Sequence, residues 1–227
     1  MSSKIGFDAA LLDFDMTLVN MSDLVDWNGA GKSVRNKLLI NGFEISELSH
    51  LPVSLLREAA SHDRFEPETR RERWMAASDE LCEYEFRGAE YTTPKKGCVE
   101  LLSYLHSHDI SAAITSSNCS RAINYCVERL FPEGTVALTV SRDDVLWEMK
   151  PHIRSVQIAL DGLNVKPGRA FGLGDSVADM EAFRSAGVTA YGITGGMSSR
   201  NELLNAGARR VFGSLNELIP ELSHSTR

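Results

Sequence analysis

At 227 residues, 43% hydrophobic and 24% charged, the chain has the composition of an ordinary globular protein with room for one large or two modest domains. Its net charge of -7, with acids and bases interspersed, argues against non-specific nucleic-acid binding, which needs a basic face. It leaves room for an anionic substrate held by a few local cations or a metal. No apolar run approaches the ~18–20 residues of a membrane span, and Met1-Ser2-Ser3-Lys4-Ile5 has no signal-peptide shape, so a cytoplasmic protein without a membrane partner is expected.

Residues 5–13 read as a buried parallel strand, an apolar run (Phe7, Ala9, Ala10, Leu11, Leu12) that stops at Asp13. Residues 20–92 change character. Apolar positions recur at helical spacing (Val34, Leu38, Leu39; Leu51, Leu55, Leu56, Ala59; Trp74, Ala77, Leu81), with turns near Asn41-Gly42 and Pro67. This predicts a small all-helical unit inserted after the first strand. After the junction Thr93-Pro94-Lys95-Lys96-Gly97, helices and strands alternate. Helices are expected at 97–107, 121–130, 151–161 (starting on Pro151), 177–186, 198–206 and 214–222. Strands are expected at 110–114, 136–140, 170–174, 189–193 and 209–212. The fold class is therefore α/β: a doubly wound parallel sheet formed by 1–19 and 93–227, with an all-helical unit, 20–92, inserted over the first strand's carboxyl end. Cys82, Cys98, Cys119 and Cys126 form no CxxC pair and no zinc spacing, so all four are expected to be reduced, with Cys119 a passive small side chain.

Four polar clusters follow four of these strands: Asp13-Phe14-Asp15-Met16-Thr17, Thr115-Ser116-Ser117-Asn118, Lys150-Pro151, and Gly174-Asp175-Ser176-Val177-Ala178-Asp179. Taken alone, Asp13, Asp15 and Thr17 would also suit a turn or a helix N-cap. In a parallel sheet, however, strand ends of one kind share one edge, so the four clusters should converge there. Two or three carboxylates around one Mg²⁺, one lysine and a hydroxyl make a site suited to a phosphoryl group. By contrast, Gly29-Ala30-Gly31-Lys32-Ser33 fails as a phosphate loop, because Asp26 stands where the first glycine is needed and no strand precedes it.

With DxDxT at Asp13, Lys150-Pro151 and GDSxxD at Gly174, the chain resembles the haloacid dehalogenase-like superfamily of phosphohydrolases. The likeness covers residues 7–19 and about 94–200. The helical insert resembles the subgroup with a small α-helical cap, as in phosphoglycolate phosphatases and β-phosphoglucomutases. The resemblance implies a role for each motif residue. Asp13 would attack phosphorus and become an aspartyl phosphate, and Asp15 would protonate the leaving alkoxide and then activate water. Mg²⁺ would be held by Asp13, the backbone carbonyl of Asp15 and Asp175, with Asp179 as a ligand or a support for one. Lys150 would bind the phosphate. The motif hydroxyl falls on Ser116, or on Ser117 if shifted by one, with Asn118 nearby. Thr17 would support the turn and Asp15, and Gly174 and Ser176 would support the metal loop. Dehalogenases lack the second acid, so Asp15 points to a phosphatase or phosphomutase. Where the family usually has glycine, this chain has Met16, and Asn20 stands where an acid is common. His152 reads as a helix-start residue.

The resemblance places substrate selection in the insert. Ser54 and Arg57 fall roughly where related caps carry a substrate-contacting loop, and Lys32 and Arg35 are further candidates. The expected activity is Mg²⁺-dependent hydrolysis of a small phosphorylated metabolite, phosphoglycolate-like or a sugar phosphate. The alternatives are a phosphomutase, which needs a second phosphate site in the insert, and a non-catalytic binding protein on the same fold. No heptad or apolar surface stripe sets an oligomeric state.

Overall fold

The computed structural model describes residues 6–61 and 65–224, so Met1–Ile5, including the first residue of the strand expected at 5–13, lies outside the described residues. In chain order the elements are β1 (Ala9–Leu12), α1 (Trp27–Ile40), α2 (Pro52–Ala60), α3 (Pro67–Tyr91), α4 (Cys98–Ser107), β2 (Ser111–Thr115), α5 (Ser120–Leu130) and β3 (Leu138–Val140). They continue with α6 (Arg142–Val145), α7 (Arg154–Leu163), β4 (Ala170–Gly174), α8 (Val177–Ser185), β5 (Thr189–Ile193), α9 (Arg200–Asn205), β6 (Arg210–Phe212) and α10 (Leu218–His224).

The six strands are all parallel, in the order β3-β2-β1-β4-β5-β6. β1 is central: Leu12 pairs with Ile114 on one side and Leu173 on the other. The strand order reverses between β1 and β4, which opens a crevice at their carboxyl ends. Side chains alternate across the sheet. Ala10, Leu12, Ile114, Phe171, Leu173 and Tyr191 join one apolar cluster with α4, α5 and α10. Ala9, Leu11, Ala113, Ala170 and Ala190 join the other with α7, α8 and α9. The small residues of that second face let helices approach closely. Gly172 is the extreme case, since a Cβ there would overlap the Phe183 ring.

The chain leaves the sheet after β1 and returns beside its point of departure. Val19 and Pro94 form an antiparallel bridge, and the Lys95 N–H donates to the Leu18 carbonyl at 2.8 Å. Between these two crossings lie α1–α3. Their apolar stripes meet in Val34, Leu38, Leu55, Leu56, Trp74 and Leu81. Trp74 is fully buried, donates its indole N–H to the Leu56 carbonyl at 2.8 Å and packs edge-on against Trp147, which carries the insert's core into the α7 face of the sheet. The 25-residue helix α3, about 37 Å long, ends against α5, where Arg129 donates to the carbonyls of Ala89 and Thr92.

The expected fold class holds, with local corrections. Helix α7 begins at Arg154, not Pro151. The Lys150–Pro151 peptide is cis, and the His152 N–H closes a turn onto the Met149 carbonyl, so the helix starts after that turn. A short helix, α6, occupies what reads as loop. Its capping box, Ser141 Oγ and N–H on Asp144, is a local pattern visible in the sequence. The expectation of four reduced cysteines fails for two. Cys82 of α3 and Cys119 before α5 are disulfide-bonded with Cα atoms 5.6 Å apart, and only Cys98 and Cys126 are free. The two are 37 residues apart and meet because α3 docks on the loop after β2, which no spacing rule reveals. Cysteine spacing therefore lends no support to a cytoplasmic setting. Among the described residues no helix is long and apolar enough to cross a membrane.

Replacing Gly172 by alanine should overpack the contact with Phe183 and cost ~1–3 kcal/mol, read as a lower urea midpoint with an unchanged slope.

Candidate active site at the carboxyl edge of the sheet

All four polar clusters converge on one cavity of about 370 Å³. Its floor is the carboxyl edge of the sheet, with Asp13, Asp15, Ser116, Ser117, Asn118, Lys150, Asp175, Ser176 and Asp179 among the lining residues. Its roof comes from the insert, through Ser22, Trp27, Leu51, Val53, Ser54, Arg57 and Glu85.

Asp13 continues β1, its N–H donating to the Leu173 carbonyl at 2.8 Å. One carboxylate oxygen accepts from Lys150 Nζ at 2.7 Å and the other from Thr17 Oγ1 at 2.8 Å. Lys150 also donates to the Thr115 carbonyl at 2.9 Å and to Asp179. The second oxygen of Asp179 accepts from Ser176 N–H and Oγ in the capping box that starts α8. Asp13, Asp175 and Asp179 each bring a carboxylate oxygen within 4.8 Å of the others, and all three are buried. Gly174 permits this crowding, since a Cβ there would press into the Asp179 carboxylate. Asp175 is held by the loop after β5: the Met197 N–H donates to its side chain at 2.6 Å, and Gly196 leaves it room.

Burial and the neighbouring Asp179 push Asp13 up to about 7, against the pull of Lys150. Burial and Asp179 raise Asp175 to about 6. Burial alone would lower Lys150, but Asp13 and Asp179 reverse that and hold the ammonium above its ordinary value. One lysine does not neutralise three buried carboxylates. The donor set, all oxygen and all acidic, suits a hard divalent cation.

Asp15 is turned away from this group. Its carboxylate accepts from the N–H groups of Met16 and Ser22, both at 2.9 Å, and from Ser22 Oγ at 2.6 Å. Burial nonetheless raises it to about 6. Directly after Asp15 the chain turns at Met16, whose φ of 62° is the left-handed conformation that glycine adopts freely. Its carbonyl accepts from Lys95 Nζ at 2.6 Å. Ser116 Oγ donates to Asn118 Oδ1 at 2.9 Å and accepts from the Asn118 N–H at 3.1 Å, while the Ser117 carbonyl faces Arg142.

Several expectations change. Thr17 holds Asp13, not Asp15, and Ser22, which the sequence reading passed over, holds Asp15. Ser54 and Arg57 do line the cavity, with Arg57 donating to the Lys150 carbonyl. Arg35 instead ties the insert together through the carbonyls of Ser46 and Ser49, and Lys32 is exposed. His152 is exposed beside Glu148. Met197, Glu85 and Arg142 also escaped the sequence reading. The Gly195-Gly196 pair was the one local signal for the loop that carries Met197.

Residues 10–193 match the family model described as haloacid dehalogenase-like hydrolase. A phosphoglycolate phosphatase of Salmonella typhimurium is 24% identical over 54% of this chain and 48% of its own, so the chain spans about half the length of that curated relative. Among solved structures, a predicted phosphatase from Clostridium acetobutylicum aligns over 95% of this chain and 98% of its own, with a TM-score of 0.69 and 23% identity. A haloacid dehalogenase family hydrolase from Deinococcus radiodurans, solved with bound phosphate and sodium, covers 97% of both chains with a TM-score of 0.65 and 22% identity.

Two outcomes test the site's electrostatics and strain. Carboxyls raised by folding hold their protons more tightly folded than unfolded. Metal-free protein should therefore lose stability as pH rises from the ordinary value of 3.8 through about 6 to about 7. In thermal unfolding scans, Mg²⁺ should raise Tm clearly at pH 7.5 and little at pH 5, where the carboxyls are protonated. Met16→Gly should relieve the left-handed strain and raise stability by ~1 kcal/mol, measured by urea unfolding.

Proposed function

The chain belongs to the haloacid dehalogenase-like hydrolase family, and within it we propose a Mg²⁺-dependent phosphatase that hydrolyses a small phosphate monoester through an aspartyl phosphate. In this reading residues 1–19 and 93–227 form the catalytic core and 20–92 a helical cap over it. The observation that carries the proposal is the contrast between Asp13 and Asp15, two acids two residues apart with separate surroundings. Asp13 lies against the ammonium and within the acidic group, where the added charge of a divalent cation would hold it ionised against the burial that raises it. Asp15 is held by Ser22 alone among side chains and sits at about 6, so it can carry a proton near neutrality and return as a base.

Asp13, the Asp15 carbonyl and Asp175, with Asp179 as a further ligand or support, would hold Mg²⁺. Once bound, the ion supplies positive charge for the phosphoryl oxygens. Lys150 and the Asn118 amide would supply donors on the protein side, and Ser116, whose O–H is held by Asn118 Oδ1, would turn it to the substrate, with Ser117 beside them. Lys150 also screens Asp13 from Asp179. Thr17 fixes the rotamer of Asp13, while Gly174 and Ser176 set the approach of Asp175 and Asp179. A cavity of about 370 Å³ suits a metabolite and not a macromolecule. Arg57, half-buried with an Nε that has no partner among the described residues, supports a donor to the leaving group, with Ser54 one turn before it. Among the described residues Arg57 is the only cation that the insert contributes to the lining. A mutase must hold a second phosphate there, so the hydrolase reading is favoured.

Wild-type protein mixed with excess p-nitrophenyl phosphate and quenched in acid should carry one acid-stable phosphate, seen by intact mass, and release inorganic phosphate with no isomerised product from sugar phosphates. Asp13→Asn should carry none. Asp15→Asn should lose ~10²–10⁴-fold in the single-turnover rate of enzyme phosphorylation by an alkyl phosphate and far less in that by p-nitrophenyl phosphate, whose leaving group needs no proton. Equal losses on both would remove Asp15 from the acid role.

A further inference from the structure

Helix α3 belongs to the insert, yet one face of it reaches the loop after β2. Ser78, Cys82 and Glu85 recur on that face at spacings of four and three. Glu85 is 0% exposed. One of its oxygens accepts from Asn118 Nδ2 at 3.1 Å, and the other from the Cys119 N–H at 3.0 Å. Arg142, at the start of α6 and also 0% exposed, grips both oxygens at 2.8 and 3.0 Å. Its Nε donates to Ser78 Oγ at 2.8 Å and its Nη1 to the Ser117 carbonyl at 2.7 Å.

A buried ion pair is a weak source of stability, because desolvating two charges offsets most of their attraction. What this pair does is orient its neighbours. A carboxylate only accepts hydrogen bonds, so Glu85 compels Asn118 to present its NH₂ to α3 and its oxygen to Ser116. Asn118 Oδ1 then accepts the hydrogen bond of the Ser116 hydroxyl and the Asn118 N–H donates to the same oxygen, so the hydroxyl is held in the loop, ready to exchange this acceptor for a phosphoryl oxygen. Glu85 touches neither the acidic group nor Lys150. The chain of bonds runs from Arg142 to Glu85 to Asn118 and ends at Ser116.

We propose that Glu85 and its counter-ion Arg142 are positioning residues: through the Asn118 amide they set the Ser116 hydroxyl, so the insert's longest helix tunes the phosphate-binding loop of the core. This rests on the phosphoryl reading of that loop. The Cys82–Cys119 bond ties the same helix to the same loop one turn away, so substitution at Glu85 disturbs orientation while the helix stays tethered.

The experiment compares wild type, Glu85→Gln, Asn118→Ala and the double variant in steady-state hydrolysis of p-nitrophenyl phosphate, with folding followed by circular dichroism. Glu85→Gln should lower kcat ~10–100-fold, up to the loss of one electrostatic donor, with KM within threefold. In the Asn118→Ala background the same change should cost less than threefold, because its route is already cut. Should Glu85→Gln fail to fold, Glu85→Met with Arg142→Met replaces it, leaving no lone buried charge. An unchanged kcat in folded protein, an equal loss in the Asn118→Ala background, or unfolding of both variants would each overturn the proposal. The Asn118 side-chain amide protons, assigned by their absence in Asn118→Ala, give a readout independent of turnover. They should exchange slowly in wild type and faster in Glu85→Gln, and equal exchange overturns the positioning role. Wild-type protein that hydrolyses no phosphate ester would count against the phosphatase reading instead.

Discussion

The Lys150 ammonium is the interaction on which the rest depends. It lies buried among Asp13, Asp179 and the Thr115 carbonyl, so it joins the ends of β1 and β2 to the start of α8. Three carboxylates cannot share such a site without a cation, and one ammonium leaves the group short of positive charge. Together with burial, the larger cause, that deficit accounts for the raised carboxyls of Asp13 and Asp175, and it leaves a donor set fitted to a further hard cation. The topology makes the crowding unavoidable. β1 and β4 are neighbours at the point where strand order reverses, and each runs directly into an aspartate.

The second constraint is the turn at Met16. A left-handed residue immediately after Asp15 turns the chain so that its own N–H and Ser22 meet the Asp15 carboxylate, while Asp13 faces other partners. Asp13 faces the cationic centre. Asp15 is wrapped by Ser22, at the threshold of the insert. The proposed division into nucleophile and acid/base depends on this separation, since equivalent surroundings would make them a coupled pair with one shared proton. The methionine carries strain at this position, and its carbonyl is anchored by Lys95 from the returning chain.

The insert contributes more than a roof. Ser22 orders Asp15, Glu85 orders Asn118, and Arg57 bonds the backbone of Lys150. Each of the three proposed functional groups on the core thus has a partner outside it. A disulfide between Cys82 and Cys119 adds a covalent tie at the same seam.

How much of this was legible in the sequence follows from the range of the forces involved. Alternating periodicities specified a parallel sheet with a helical insert, because side-chain period and strand burial are local properties. The convergence of Asp13, Ser116, Lys150 and Asp175 was also legible, since in a parallel sheet every strand delivers its end to the same edge. Boundaries shifted where a turn competed with a helix, as at Pro151, and α6 was missed despite its capping pattern. What stayed hidden were the partners. Thr17 could have bonded either acid, and the rotation of the backbone at Met16 turned it to Asp13. Glu85, on a helix, and Arg142, in what reads as loop, stand 57 residues apart with nothing in the sequence to pair them, and Cys82 and Cys119 look like unrelated thiols. These contacts exist only because α3 packs on the loop after β2. By itself the sequence determined the fold class and pointed to the acids and the lysine at the sheet edge, leaving the hydroxyl between Ser116 and Ser117. Only the tertiary structure decided what holds each of them, because helix rotation and docking come from packing over the whole core.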